Sequence, residues 1–294
     1  MDSYNKAISA FNKCIEKSGY NRVPVHCHLN LAIIYLELGT LKGDKDSLLS
    51  SKEQYDLILE NRRFVNEDKF SLSPAFFGRG LVKQALGDQI GAINDFKEVK
   101  PTQEYYFDAQ AHIANSLYQS EKYDESLDLI NSLSKISLNE FSNPANYYNL
   151  YLTKSFVLKE LGVIEESAEK IFSSYKIIDN ITNSPDIMKI LTQNFDLGFI
   201  CQHKGHLALM ITGNQTIAEF LFNQCYASSI FLKADIYPVS IFDPKEKVEF
   251  LLNETNMTDE NIPLNLSVDM YIKSENNESL YLGTYTIRET RPAR

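Results

Sequence analysis

Residues 75 to 96 read AFFGRGLVKQALGDQIGAINDF, and this stretch carries the clearest structural signal in the chain. Its apolar residues follow a helical period as far as Leu86, the period breaks at Gly87, and it resumes three residues later. This pattern predicts two helices joined by a tight turn. Antiparallel helices that cross closely need small residues at their contact, which Gly80 and Ala92 supply. The turn needs a residue that tolerates left-handed dihedral angles, which Gly87 supplies.

Weaker copies of this unit lie on both sides. Upstream, Ala32 takes the contact position, Gly39 the turn, and residues 51 to 58 the second helix. Downstream, Ala114 belongs to a first helix and Ser126 to its partner. Two further copies contain Ser155, the turn residue Gly162, Ser167, Ile171 and Ser174, and then Gly198, Cys201, the turn residue Gly205, Ala218, Phe222 and Cys225. The chain also opens with a second helix that lacks a first helix, in which the matching residues are Ala7, Phe11 and Cys14.

These recurring positions resemble the tetratricopeptide repeat, whose signature is a small residue in the first helix, a glycine at the turn, and an alanine followed by an aromatic residue in the second helix. The resemblance assigns residues 1 to 233 and implies an all-α superhelix, a solenoid of antiparallel helix pairs. The chain departs from the family's pattern because it has no tryptophan and because its turns lie further apart than the ~34 residues of a regular repeat. A divergent solenoid is therefore the predicted fold, and a related array of helical hairpins is the alternative.

The segment from residue 234 to residue 294 shows a different pattern. One short helix is predicted to begin with Asp243 as its cap and Pro244 at its first position. Beyond it, residues 264 to 272 and 280 to 287 alternate apolar and polar side chains, which predicts a β-hairpin. An isolated hairpin is marginally stable in water, so we expect this appendage to cap the helical array, to pair with a partner's strand, or to begin a further domain.

Acidic residues outnumber basic ones, with 39 Asp and Glu against 29 Lys and Arg, and the net charge is -10. This charge repels a phosphate backbone or an anionic bilayer, so neither nucleic acid nor a membrane surface is an expected partner. No apolar run reaches the ~20 residues of a membrane span and the N-terminus lacks a signal peptide, so we expect a cytoplasmic protein. The four cysteines are scattered, and we expect small buried residues in a reducing compartment.

In the family that the repeats resemble, the first helices line a concave groove that binds a partner. Residues one or two positions from the small contact residue, and about a turn either way, are expected to face this groove. These residues are Leu29, Ile33, Phe77, Leu81, Asn115, Tyr118, Leu152, Phe156, Phe195 and Phe199. The alternative is that several of them pack against neighbouring first helices and never meet solvent.

The predicted groove is largely apolar, which favours an amphipathic helix or an extended peptide as its ligand. Burying three or four such side chains, at roughly 1.5 to 3 kcal/mol each before ordering costs, supports micromolar binding. One branch of the family grips a C-terminal carboxylate through Lys, Asn and Arg, but here the corresponding places are apolar or neutral, so this ligand is not expected. On this interpretation, Phe156→Asp leaves the fold nearly intact and weakens binding.

The sequence predicts no metal, no cofactor and no catalytic site. His26 and His28 point in different directions on a helix, while His203 and His206 have no carboxylate or cysteine that completes a site. The motifs of serine hydrolases, phosphate-binding loops, zinc proteases and dinucleotide-binding proteins are absent from the sequence.

The predicted function is that of a scaffold or adaptor that binds a protein or peptide. One alternative is the regulatory or substrate-recruiting portion of a larger enzyme, because such arrays often precede catalytic domains. Another is a sensor that closes its superhelix around a short signalling peptide. The N-terminal second helix without a first helix has two possible explanations: an upstream segment that this sequence lacks, or a homodimer formed through the edge that carries Phe11 and Ile15.

Overall fold

The computed structural model describes residues 2–18, 24–62, 71–191, 197–226, 266–273 and 279–287. The chain forms two compact units, Met1–Thr153 and Lys154–Arg294. The predicted division after residue 233 stays a prediction, because residues 227 to 265 lie outside the described part of the chain.

The first unit is built entirely from helices in its described residues. The helices are α1 (Asp2–Lys17), α2 (Val25–Lys42), α3 (Lys45–Glu60), α4 (Ser73–Ala85), α5 (Gln89–Lys97), α6 (Tyr106–Gln119), α7 (Tyr123–Leu133) and α8 (Pro144–Ile164), with a short 3-10 helix at Leu138–Glu140. The last of these, α8, continues into the second unit.

Consecutive helices of the first unit pack in pairs. Helix α2 packs against α3, α4 against α5, and α6 against α7. The pairs are connected in turn, because α3 also packs against α4 and α5 against α6. Helix α1 packs against α2, so the N-terminal helix has a partner within its own chain. This pairing is compatible with the predicted helical repeat.

The turns inside the helix pairs share one backbone arrangement. A residue with a left-handed backbone ends the first helix, and the N-cap of the second helix follows it at once. At Gly87, with φ of 86°, this confirms the predicted turn, and the side chain of Asp88 then accepts a hydrogen bond from Gly91 N. The prediction for Gly39 was wrong, because α2 runs through it and turns at Gly43, with φ of 63°.

Gly39 instead lies where the two helices of its pair approach each other. A Cβ at this position would lie 2.6 Å from the Leu48 side chain. Gly80 is equally crowded, because a Cβ there would lie 2.5 Å from the Phe96 ring. Only a hydrogen fits at such a contact, so these glycines serve helix packing and not the turn.

Serines take the small position in several second helices, and their hydroxyls lock the pair. Ser51 Oγ donates to Ala32 O over 2.7 Å, and Ser126 Oγ donates to Ala114 O over 2.8 Å. Both serines are fully buried. The hydroxyl therefore bonds a main-chain carbonyl of the facing helix at the position where the repeat pattern calls for alanine, without leaving a buried polar group unpaired.

Two clusters of buried side chains contribute to the core of the first unit in its described residues. The first is Val25, Ala32, Leu48, Tyr55, Ile58, Leu59, Ala75 and Val82, and the second is Ala92, Phe96, Val99, Ala109, Ile113 and Leu117. Phe96 and Val99 of the second cluster are both buried.

The second unit continues with helices and also contains two strands. The helices after α8 are α9 (Ala168–Thr182), α10 (Pro185–Leu191), α11 (Leu197–Thr212) and α12 (Gln215–Tyr226). Helix α9 packs against α10 and α11, and α11 packs against α12. None of the described helices in either unit has the length and apolar character that crossing a bilayer would require.

Two of the turns predicted for this part of the chain were wrong. Helix α8 runs through Gly162 and turns at Glu166, which has φ of 52°. Helix α11 runs through Gly205 and turns at Gly213, which has φ of 62°. The neighbouring Lys204, expected at a turn, is buried and pairs with Asp179 at 2.7 Å.

Strands β1 (Leu266–Lys273) and β2 (Ser279–Ile287) pair in antiparallel fashion, with a register shift between Met270 and Tyr271. The turn between them lies outside the described residues, as does the short helix predicted at Asp243. The hairpin appendage and its packing therefore stay predictions.

The four cysteines form two disulfides, Cys14–Cys27 and Cys201–Cys225. The prediction of buried cysteines without a pairing was wrong on this point, because the packing of two consecutive helices brings each pair together. Cys14–Cys27 joins α1 to α2, and Cys201–Cys225 joins α11 to α12.

Candidate partner-binding surface

Six of the ten predicted groove residues lie on three helices of the first unit that pack side by side. Helix α2 packs against α4, and α4 packs against α6. We call this face the first-helix surface, and its residues are Leu29 and Ile33 on α2, Phe77 and Leu81 on α4, and Asn115 and Tyr118 on α6.

The six residues differ in how much surface they offer. Ile33 is the most accessible of them, with 40% of its surface exposed. Leu29 is half-buried and packs against the first core cluster, whereas Phe77 and Leu81 pack against the second. Tyr118 is half-buried, with its ring centroid 6.0 Å from that of Tyr123. The surface is therefore a partly filled apolar face with Ile33 as its projecting side chain.

Phe77 stands at the centre of an aromatic group that joins α4, α5 and α6. Its ring lies 5.2 Å from the Tyr105 ring in a stacked arrangement and 5.8 Å from the Phe96 ring. The His112 ring meets it edge-on at 5.6 Å. Such pairs stabilise the helix contact beyond simple burial, so Phe77 positions the surface as well as contributing to it.

Asn115 belongs to a network of amide hydrogen bonds. Gln84 Nε2 lies 3.2 Å from Asn115 Oδ1 and 2.9 Å from Ser116 Oγ, so α4 is bonded to α6. Asn115 Nδ2 in turn lies 3.4 Å from Thr153 Oγ1 on α8. The predicted binding residue Asn115 thus has partners for both ends of its amide within the protein.

Three of the remaining four predicted residues lie on other helices, Leu152 and Phe156 on α8 and Phe199 on α11. Leu152 and Phe156 are only 2% and 8% exposed, so they are packed side chains, and the expectation that they line an open groove is corrected. Phe199 is 54% exposed, with its ring 5.2 Å from the Phe156 ring. Phe195 lies outside the described residues.

An aromatic band that the sequence analysis did not identify lies on the first unit. The Phe107 ring is 6.0 Å from the Phe141 ring, which is 5.5 Å from the Tyr147 ring. Tyr147 and Tyr151 place their hydroxyl oxygens 3.3 Å apart, and burial together with this contact raises the pKa of Tyr151 to about 12. The i, i+4 spacing of these tyrosines could have indicated from the sequence that they share one face of α8. Half-buried tyrosines of this kind are frequent in protein interfaces.

A cavity of about 770 Å³ opens at the start of α4. Its lining mixes charges of both signs, with Arg62 and Lys100 alongside Glu98 and Glu104, and the apolar residues Leu72 and Phe76. The opposite charges leave no net preference for an anion or a cation, so the cavity is less informative about a ligand than the first-helix surface.

A partly buried ion network joins α4 to α3 and α5. Arg79 on α4 donates to both carboxylate oxygens of Asp95 over 2.8 and 2.7 Å, and to Asp56 over 2.8 Å. Lys83 lies 2.8 Å from Asp95, and Lys52 lies 2.7 Å from Asp56. Burial, the strongest influence, raises the pKa of Asp56, but the hydrogen bonds and charges of Lys52 and Arg79 together hold it below its ordinary value.

The ion network affects whether a partner's carboxylate can bind to α4. The two basic side chains of α4, Arg79 and Lys83, are both engaged by carboxylates of the protein itself. A partner's C-terminal carboxylate would have to displace Asp95, which is almost fully buried. The geometry therefore favours apolar contacts over carboxylate capture.

We predict that His112 makes the first unit sensitive to acid. Burial lowers its pKa to about 4, against the opposing influence of Asp108 and Asn146. An unfolded histidine titrates near 6.5, so the unfolded chain takes up the proton first, and the stability due to neutral His112 is present above pH ~6.5 and lost as the pH falls towards ~4. We expect a loss of about 2 to 3 kcal/mol over this range.

Urea unfolding at a series of pH values measures this effect as the difference between the natural protein and His112→Gln. The difference removes contributions from His203 and His206, whose pKa values are also lowered by burial. Equal pH slopes for the two proteins would show that His112 titrates normally.

One contact in the second unit resembles part of a catalytic pair. Ser155 Oγ lies 2.9 Å from His203 Nε2. Both residues are buried, and the serine hydroxyl also lies 3.0 Å from Ser174 Oγ and 2.9 Å from Ser174 O. A nucleophile must reach its substrate, so this arrangement is that of a packed polar contact between helices.

No protein-family model matches the chain, and no curated protein matches it at a significant level.

Proposed function

We propose that this protein is a tetratricopeptide-repeat-like solenoid that acts as a scaffold or adaptor and has no catalytic site of its own. The first-helix surface would bind an amphipathic helix or an extended peptide of a partner protein. The observation that supports this most is the side-by-side packing of α2, α4 and α6, which carries an accessible Ile33 next to half-buried apolar side chains.

The local geometry agrees with a repeat. Gly87 and Glu121, which turn the second and third helix pairs, lie 34 residues apart, the length of a regular tetratricopeptide unit. The other pairs have longer helices, which explains the wider spacing of their turns. An array of this kind gains its binding face from the first helices, because the second helices pack behind them.

The apolar character of the first-helix surface favours binding. A partner that buries Ile33 and the accessible parts of Leu29 and Leu81 removes apolar area from water, worth about 25 cal/mol for each Å². The ion network joins α4 to α3 and α5, the amide network joins α4 to α6, and the Ser51 hydroxyl joins α3 to α2, so little ordering cost falls on the protein side.

A matched pair of variants tests this proposal. Ile33 on α2 is 40% exposed, and Leu57 on the second helix α3 is 41% exposed. Peptides selected from a random phage-displayed library against the full chain serve as probes, and their affinities are measured by isothermal titration. We expect Ile33→Asp to weaken binding at least tenfold, equivalent to about 1.4 kcal/mol, and Leu57→Asp to leave it unchanged. Equal effects of the two variants would reject the first-helix surface as the binding site.

A cytoplasmic location and a homodimer through Phe11 and Ile15 remain proposals. In the cytoplasm glutathione and thioredoxin keep thiols reduced, so both cysteine pairs would exist there as thiols that close on oxidation. Alkylation of thiols in intact cells tests the location, and we expect the half-buried Cys14 and Cys225 to be modified. Complete protection of both pairs would indicate an oxidising compartment. Light scattering at high concentration tests the dimer, which a monomeric mass would rule out.

A further inference from the structure

Three metal-binding side chains converge where α1 meets α2. Cys14 lies near the end of α1, while His26 and Cys27 lie in the first turn of α2. The ligand atoms of the three all lie within 4.8 Å of one another, and the Cα atoms of the two cysteines are 6.3 Å apart. No other group of three His, Cys, Asp or Glu side chains comes as close in the part of the chain that the structure describes.

The donor set matches the chemistry of zinc. Thiolate sulfur and imidazole nitrogen bind Zn²⁺ at about 2.3 and 2.0 Å, so two ligands on one tetrahedral ion stand about 3.5 to 3.8 Å apart. The observed convergence needs only side-chain rotation to reach that spacing. Calcium and magnesium require oxygen ligands, which this group lacks. Two thiolates also bring the charge that neutralises a divalent cation.

The exposure of the three side chains and the hydrogen bond of the neighbouring His28 are also compatible with a zinc site. His26 is exposed, Cys14 is half-buried and Cys27 is buried, so an ion can enter from the histidine side and keep a water as its fourth ligand. The next histidine, His28, has its Nδ1 atom 2.8 Å from Gln54 Oε1 on α3. This contact turns His28 away from the group and separates the roles of the two neighbouring histidines.

We propose that Cys14, His26 and Cys27 form a zinc site in the reduced protein and that this site ties the N-terminal helix α1 to α2. The disulfide Cys14–Cys27 is the oxidised, metal-free form of the same pair. Hydrogen peroxide converts the zinc-bound form into the disulfide form. The sulfur–sulfur bond forms, both zinc–sulfur bonds break and Zn²⁺ leaves, while the peroxide accepts the two electrons and becomes two hydroxide ions.

The second cysteine pair supplies an internal control. Cys201 and Cys225 also form a disulfide, but no histidine or carboxylate joins them in a group of three among the described residues. Reduction of that pair produces two thiols without a third ligand. Zinc binding is therefore expected at one end of the chain only.

The test uses the full chain, reduced and freed of metal, and titrated with Zn²⁺ against a chromophoric chelator. We expect one zinc ion per chain, and at least a tenfold loss of affinity in His26→Ala and in Cys14→Ser, since even outer-shell partners change metal affinity by about 10 to 100-fold. The variants His28→Ala and Cys201→Ser are expected to bind like the natural protein. Because His26 is exposed, its variant reports on ligation without disturbing the core.

Oxidation provides a second readout. Hydrogen peroxide is expected to release the zinc and to produce the Cys14–Cys27 disulfide, detected by mass spectrometry of peptides under non-reducing conditions. Absence of stoichiometric binding by the reduced chain would overturn the proposal. So would affinity that is unchanged in both His26→Ala and Cys14→Ser, or lost equally in His28→Ala.

Discussion

Arg79→Met is expected to lower the free energy of unfolding of the first unit by about 3 to 5 kcal/mol. The substitution keeps the apolar stem of the side chain but removes the guanidinium that joins Asp95 on α5 to Asp56 on α3. Asp95 is only 5% exposed, so it cannot recover the lost contacts from water. Lys83 still pairs with Asp95, which keeps the cost from rising further.

Two control substitutions separate burial from charge. Arg79→Lys keeps the charge but cannot form the two parallel hydrogen bonds to Asp95, so we expect an intermediate loss of about 1 to 2 kcal/mol. Lys122 and Glu125 form an exposed ion pair in the same unit, and Lys122→Met is expected to cost less than about 1 kcal/mol. Hydrogen exchange of helices α3 to α7, measured in increasing urea, gives the three values for the first unit. An Arg79→Met loss no larger than that of Lys122→Met would show that the network adds nothing to stability.

The sequence predicted the helices and their pairing better than the turns within the pairs. Three of the predicted turns carry the dipeptide Leu-Gly, at residues 38–39, 86–87 and 161–162, but of these three glycines only Gly87 has a left-handed backbone. The other two glycines lie inside helices, at close contacts with the facing helix. Glycine satisfies both needs because it lacks a side chain, so the residue type alone cannot separate them.

The residue after each turn supplied the missing signal. Asp88 follows Gly87 directly and caps the next helix, whereas the caps that follow Gly39 and Gly162 come five residues later, at Asp44 and Ser167. The left-handed residue stands immediately before these caps. A search for cap residues, and not for glycines, would have placed these two turns correctly.

The candidate surface was harder to predict than the fold. Which face of a first helix stays open depends on neighbours that are distant in sequence. The spacing rule placed Ile33 and Phe199 on exposed faces, but it also selected Leu152 and Phe156, which the packing buries. The disulfides and the Arg79 network likewise join residues that come close only when the helices pack. No local sequence pattern therefore predicts them.

Phe156→Asp is expected to unfold the second unit locally, with a loss of at least about 4 kcal/mol, contrary to the expectation from the sequence. Removing a buried phenylalanine costs about 3 to 5 kcal/mol by itself, and the new carboxylate must also lose its hydration. The ring of Phe156 lies 5.2 Å from the Phe199 ring and 4.2 Å from the His203 ring, so the carboxylate would be placed among rings at the Ser155–His203 contact.

Phe199→Asp is the matched control, because it alters the other member of the same ring pair. Phe199 is 54% exposed, so its aspartate stays hydrated and we expect a loss of no more than about 1.5 kcal/mol. With two units in the chain, a single unfolding curve does not isolate the effect, so hydrogen exchange of α8, α9 and α11 is the measurement. Protection lost in Phe156→Asp but kept in Phe199→Asp assigns Phe156 to the core. If protection were kept in Phe156→Asp and lost in Phe199→Asp, Phe156 would be an accessible side chain that could contact a partner.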